Sequence, residues 1–132
     1  ASRLEGLTKN YKAGIIISEE TYKNINKDLF AIRFIDFVAV KGKNKAIKIF
    51  EVFDADLEKL KQLKIETLND FKKAIKGYFE HNFENSLKLF SKINKINPDD
   101  KVTEIFINRC KKIIKEGWNP DLWDGVNRLR NK

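Results

Sequence analysis

At 132 residues the chain has room for one modest domain, or for part of one joined to a small second unit; 42% hydrophobic residues, ten of them phenylalanine, exclude a disordered polymer. The 27 basic and 19 acidic residues leave a net charge of +8, but both signs are interleaved along the whole length, as on a solvated surface, and nucleic-acid binding is not expected. No apolar run approaches the roughly 20 residues of a membrane span, no secretory signal opens the chain, and the lone Cys110 cannot form an internal disulfide, so a reducing, cytoplasmic setting with no membrane segment in this chain is expected. With no methionine anywhere and a first turn that already reads as helix interior, the sequence is expected to be a piece of a longer protein.

The first 54 residues alternate between helix and strand signals. "ASRLEGLTKNY" reads as the end of an amphipathic helix with Leu4 and Leu7 on one side. "AGIIIS" is a short β-branched strand expected to be buried on both faces. Ser18 can cap a short helix over "EETYKNI", with Glu19 and Glu20 suiting the positive end of its dipole. "LFAIRFIDFVAV" and "AIKIFEVF" show two-residue alternation around "KGKNK", where Gly42 and Asn44 tolerate positive φ, and together predict a β-hairpin.

From Asp54 the period becomes helical. "DADLEKLKQLKI" carries leucines at 57, 60 and 63 and predicts a connector helix over residues 55–66. Thr67 or Asn69 can cap a helix with Leu68, Phe71, Ile75, Tyr78 and Phe79 on one side. A second follows with Phe83, Leu87, Phe90 and Ile93, closed by Pro98, and Asp99 or Asp100 starts a third with Val102, Ile105, Phe106, Cys110, Ile113 and Ile114. Three antiparallel helices are predicted. The tail "GWNPDLWDGVNRLRNK" has too many turn residues for a long helix, yet Trp118, Leu122, Trp123 and Val126 are apolar enough to pack back on the helices.

The lysines around Gly42 admit two roles. Lysine on an exposed hairpin discourages edge pairing, whereas Lys41 and Lys43 beside a glycine can also act as point charges for an approaching phosphate. His81 has no second histidine or cysteine near it and reads as a turn residue; Cys110 reads as core.

"SRLEGLTK", "AGIIISEETY" and "RFIDFVAVKGKNKAIKIFEVF" occur in the order and spacing that resemble the C-terminal part of a class III adenylate or guanylate cyclase catalytic domain. The likeness covers residues 1–54. It implies an α+β fold, the strand-helix-hairpin portion of a ferredoxin-like cyclase domain, and a parent homodimer that turns ATP or GTP into the cyclic nucleotide and pyrophosphate. It further implies that Arg3 stabilises the transition state, that Lys41 contacts the terminal phosphates, with Lys43 a second phosphate-binding candidate, and that magnesium or manganese is held by aspartates upstream of this chain. No metal ligand is assigned within it, and the chain alone is expected to be inactive. "FKKAIKGYFEHNFENSLKLFSKINKINPDD" resembles a tetratricopeptide repeat through Ala74, Tyr78, Ser86, Phe90 and Pro98, which implies an all-α, TPR-like segment over residues 67–132 and a possible protein partner. The alternative function is a non-enzymatic TPR-like interaction or dimerisation module.

Overall fold

The computed structural model describes residues 6–39 and 45–129. They divide into two compact units: one holds the chain up to Asp56 together with the residues from Asp124 on, the other runs Leu57–Trp123. The architecture is mixed α+β, with a small sheet in the first unit and helices in the second.

The first unit contains helix α1 (Leu7–Tyr11), strand β1 (Ile15–Ser18), helix α2 (Glu19–Asn24), a 3-10 turn (Lys27–Leu29) and strands β2 (Ile32–Ala39), β3 (Ala46–Val52) and β4 (Asn127–Arg128). The sheet order is β1-β3-β2-β4. The predicted hairpin is the antiparallel β2–β3 pair, in register from Ile32↔Val52 to Ala39↔Ala46. Its turn, with Gly42 and Asn44, lies outside the described residues. Ser18 caps α2 as expected, its hydroxyl accepting from the Thr21 amide at 3.3 Å, with Glu19 and Glu20 in the first turn. That helix lays Tyr22 flat on Phe50, ring centroids 3.9 Å apart.

β1 departs from expectation. It pairs with β3 at the sheet edge, Ile15 is 48% exposed and the rest of the strand is half-buried rather than enclosed on both faces. A run of three isoleucines reports strand propensity, and a short apolar run of this kind does not distinguish an edge from a centre.

A bulge reshapes β2. Phe34 faces Phe50 and Asp36 faces Ile49, so Ile35 is the extra residue. Directly opposed residues project to the same side of an antiparallel pair. The slip therefore puts Asp36 on the face of Arg33 and Glu51, while Phe34 and Phe37 take the other. Both Ile35 and Asp36 are fully buried in consequence.

The second unit has helices α3 (Glu58–Glu66), α4 (Leu68–Phe79), α5 (Phe83–Ile96) and α6 (Lys101–Glu116). The last three are the predicted helices, and each packs on its sequence neighbour across a loop of three or four residues, which makes neighbours antiparallel. Phe71, Tyr78, Phe83, Phe90, Ile93, Val102, Phe106 and Cys110 form the core; each large side chain buried here contributes about 1.5–3 kcal/mol. Asp100 is the residue that caps α6, accepting from the Thr103 hydroxyl at 2.9 Å and the Thr103 amide at 3.5 Å. Thr67 does not cap α4: its hydroxyl donates back to the Leu63 carbonyl at 2.7 Å, and Asn69 lies inside the helix. The leucine stripe of α3 is only partly buried, with Leu57 at 82% exposure just before the helix.

Of the tail residues expected to pack back on the helices, the two tryptophans do so, whereas Leu122 stays 78% exposed and Val126 falls in the sheet unit. Trp123 lies against Tyr78 and Phe83, with centroids 5.4 and 5.1 Å apart, and Trp118 lies 5.2 Å from Phe83. His81 takes positive φ (72°) in the turn after α4, where the next amide, Asn82, donates to the Gly77 carbonyl at 2.8 Å. It touches Trp118 and Trp123, so this turn residue also closes one end of the aromatic cluster.

Gly77 is required by a close approach. A Cβ at this position would stand 2.6 Å from the Ser86 hydroxyl, which is buried and donates to the Ala74 carbonyl at 2.9 Å. Gly77→Ala is expected to destabilise the helical unit by about 1–2 kcal/mol, because the displaced hydroxyl and overpacking outweigh the helix propensity gained. Both tryptophans belong to this unit, so urea unfolding followed by their fluorescence measures it; an unchanged or raised midpoint contradicts the packing.

Burial pushes the Cys110 thiol up from 9.0 to about 11, with Arg109 opposing the shift. The folded state therefore keeps its proton where the unfolded thiol has lost it. Its contribution is complete below pH 9 and lost as pH rises towards about 11. In native protein Cys110 should resist a thiol-specific disulfide reagent at pH 8 and react fully once urea unfolds the chain; rapid native labelling would refute its burial.

Candidate functional site

Arg3, Lys41 and Lys43 lie outside the described residues, so their sequence-based assignment is neither joined nor separated by the structure. What is described is the framework on either side of them. Arg3 precedes α1, and Lys41 and Lys43 follow β2. These two elements are tied together directly, because the Tyr11 hydroxyl at the end of α1 donates to Asp36 Oδ2 on β2 at 2.6 Å.

Asp36 is completely buried and Tyr11 nearly so. The second carboxylate oxygen of Asp36 accepts from the Phe37 amide at 2.9 Å. Asn127 completes the cluster, its side-chain amide donating to the Tyr11 hydroxyl at 3.1 Å and standing 3.5 Å from Asp36 Oδ2. A buried carboxyl of this kind needs such donors, since its desolvation is not otherwise offset.

A second polar pair lies on the same face of the sheet. Arg33 Nε donates to Glu51 Oε2 at 2.5 Å between directly opposed positions of β2 and β3, with both side chains excluded from water. Sequence reasoning passed over Arg33, Asp36 and Glu51. The available signal was charge inside an apolar alternating run, "RFIDF" and "IFEVF", which calls for a partner wherever the strand is buried.

Two further lysines of the stretch are described. Lys45 and Lys48 are exposed, and Lys48 opposes Phe37 on the face away from Asp36. Glu19 and Glu20 occupy the first turn of α2, and Asp100 is a helix cap, as expected. Among the described residues no group of three or more His, Cys, Asp or Glu side chains could hold a metal ion. None of the described helices is long and apolar enough to cross a membrane.

The chain is related to proteins named adenylate cyclase. It is 39% identical over 117 residues, 87% of its length, to "Adenylate cyclase, terminal-differentiation specific" from Dictyostelium discoideum, and 50% identical over 54 residues, 39% of its length, to "Adenylate cyclase" from Anabaena cylindrica. It spans only 6% and 11% of those relatives. A match over 87% of the chain necessarily runs through most of the helical unit as well as the sheet. No family model matches the chain, and no solved structure matches it.

Proposed function

We propose that this chain is the C-terminal part of the catalytic region of an adenylate cyclase, continued by a TPR-like helical unit, and that the parent forms cyclic AMP and pyrophosphate from ATP as a homodimer. The observation that carries this reading is the likeness to the Dictyostelium cyclase through sheet and helices alike. In the proposed reaction Arg3 meets the phosphate oxygens on which charge develops, through the two-donor fork of its guanidinium. Lys41, with Lys43 beside it, supplies compact charge to the terminal phosphates. The lysines around Gly42 thereby acquire a purpose beyond edge protection.

Magnesium or manganese would be bound by carboxylates elsewhere in the longer protein. The roles assigned to this chain stop at holding phosphate oxygens. On this reading the isolated chain does not turn over nucleotide.

The helical unit is proposed to brace or regulate the dimer. The tight Gly77–Ser86 approach and the buried Ala74 support the TPR-like packing of its first two long helices. The test is cyclic nucleotide formation by the full-length protein with ATP or GTP and manganese. Cyclic AMP as product supports the proposal. No cyclic nucleotide from either substrate overturns it and leaves an interaction module in its place.

A further inference from the structure

Asp124 is followed by Gly125, and the sequence holds no other Asp–Gly or Asn–Gly pair. That pair has a chemistry of its own. The Gly125 backbone nitrogen can attack the carboxyl carbon of Asp124, and glycine presents that nitrogen with no Cβ to obstruct it. A C–N bond forms, the amide proton and the carboxyl hydroxyl leave as water, and a five-membered succinimide results. Water then reopens the ring at one of its two carbonyls, giving back aspartate or leaving isoaspartate. In isoaspartate the side-chain methylene has entered the main chain and the α-carboxyl is left free. The neutral carboxyl is the reactive form, since an ionised carboxylate has no hydroxyl to give up.

The fold holds Asp124 in the opposite state. Its Oδ1 accepts from the Val126 amide at 3.0 Å and from Arg128 Nη1 at 3.2 Å, and its Oδ2 accepts from Arg128 Nη2 at 2.6 Å. Gly125 carries the turn between them at a φ of 74°, a backbone that suits glycine. The hydrogen bond from Arg128, and after it that from the Val126 amide, keeps the Asp124 carboxyl below its ordinary pKa. These bonds must loosen before the carboxyl can take up a proton and close the ring. The side chains of Asp124 and Arg128 are 48% and 67% exposed, so water reaches the peptide and the pair opens readily.

We propose that the Asp124–Gly125 peptide is an isomerisation site of this protein and that Arg128 is the residue that restrains it. The inference is independent of the cyclase reading. Arg128 lies on β4, where Asn127 and Arg128 pair with Val38 and Ala39. A two-residue strand belongs to the weakly held end of the stability range, where local opening precedes global unfolding. Each release of β4 takes the guanidinium from Asp124 and leaves the peptide open to ring closure. Isoaspartate lengthens the turn by one main-chain atom and moves the acceptor of the Val126 amide, which opposes re-pairing. The modification thereby accumulates as a record of β4 opening.

The experiment stores the folded full-length protein near neutral pH as wild type, Arg128→Ala and Arg128→Lys. Isoaspartate at residue 124 is followed by peptide mapping and by isoaspartate-specific carboxyl methylation. The same proteins are stored in urea, where the turn is absent. In the folded state Arg128→Ala is expected to form isoaspartate here about fivefold faster than wild type, in keeping with loss of a two-point pair at an exposed site, and Arg128→Lys to fall between them. In urea all three should react at one rate, faster than folded wild type. Equal rates in folded wild type and Arg128→Ala overturn the inference, as does a folded wild type that reacts as fast as its unfolded chain. A difference that persists in urea also overturns it, because the arginine would then act through the local sequence and not through the turn. Circular dichroism checks folding; if Arg128→Ala does not fold, Arg128→Lys takes its place, and a rate no higher than that of wild type overturns the inference.

Discussion

Arg3→Ala and Lys41→Ala in the full-length protein are each expected to slow cyclic AMP formation by about 10²–10³, with folding unchanged. Expulsion of pyrophosphate builds negative charge on oxygens of the α-phosphate and of the departing group. Fixed cationic donors at those oxygens are stronger in the transition state than in the ground state, so their removal falls on the rate. The two residues should differ in what restores them. A guanidinium presents planar paired donors that an ammonium cannot copy, so Arg3→Lys should recover little. Lys41 serves as a point charge, and Lys41→Arg should recover more. Lys43→Ala should cost less than Lys41→Ala. The measurement is product formation over time under saturating ATP, beside circular dichroism of each variant. If Arg3 is instead a surface arginine paired with a neighbouring acid, its alanine variant will keep activity within twofold, and the transition-state role is lost.

The elements that could be read from sequence are those whose signal is local and repeated. The β2–β3 hairpin follows from alternation around a glycine and asparagine turn, and the three long helices from apolar residues at helical spacing. Ser18 and Asp100 cap helices because a side-chain oxygen before a helical run has free amides to satisfy, and both do so. The bulge at Ile35 was not legible, since alternation averaged over "IRFIDFVA" hides a single slipped residue. β4 was not legible either, because two residues carry no period and their partner is distant: Asn127 and Tyr11 stand 116 positions apart. The candidate site shows the same division. Arg3, Lys41 and Lys43 came from a likeness to cyclases, not from periodicity. The polar framework of Tyr11, Asp36 and Asn127 exists only once three separate segments have folded together.

The buried pair between Arg33 and Glu51 sets the largest expected effect on stability. Both groups are stripped of water, with side-chain exposures of 1% and 0%, and they meet across the β2–β3 register. Glu51→Ala should destabilise the sheet unit by about 3–5 kcal/mol, because it takes the carboxylate from a buried guanidinium and opens a cavity on the buried face of the sheet. Arg33→Met alone should cost a similar amount by taking the guanidinium from the buried carboxylate. The double variant Arg33→Met with Glu51→Leu should recover most of the loss, since well-packed apolar residues can replace a buried ion pair at little cost. Both tryptophans lie in the helical unit, so their fluorescence is blind to this change. Deuterium exchange at the Ile49 and Phe50 amides reports it directly, and protection there should fall in the single variants and return in the double. A Glu51→Ala loss below about 1 kcal/mol would mean that water or another acceptor compensates the arginine. The pair would then be a consequence of the register and not one of the forces that select it.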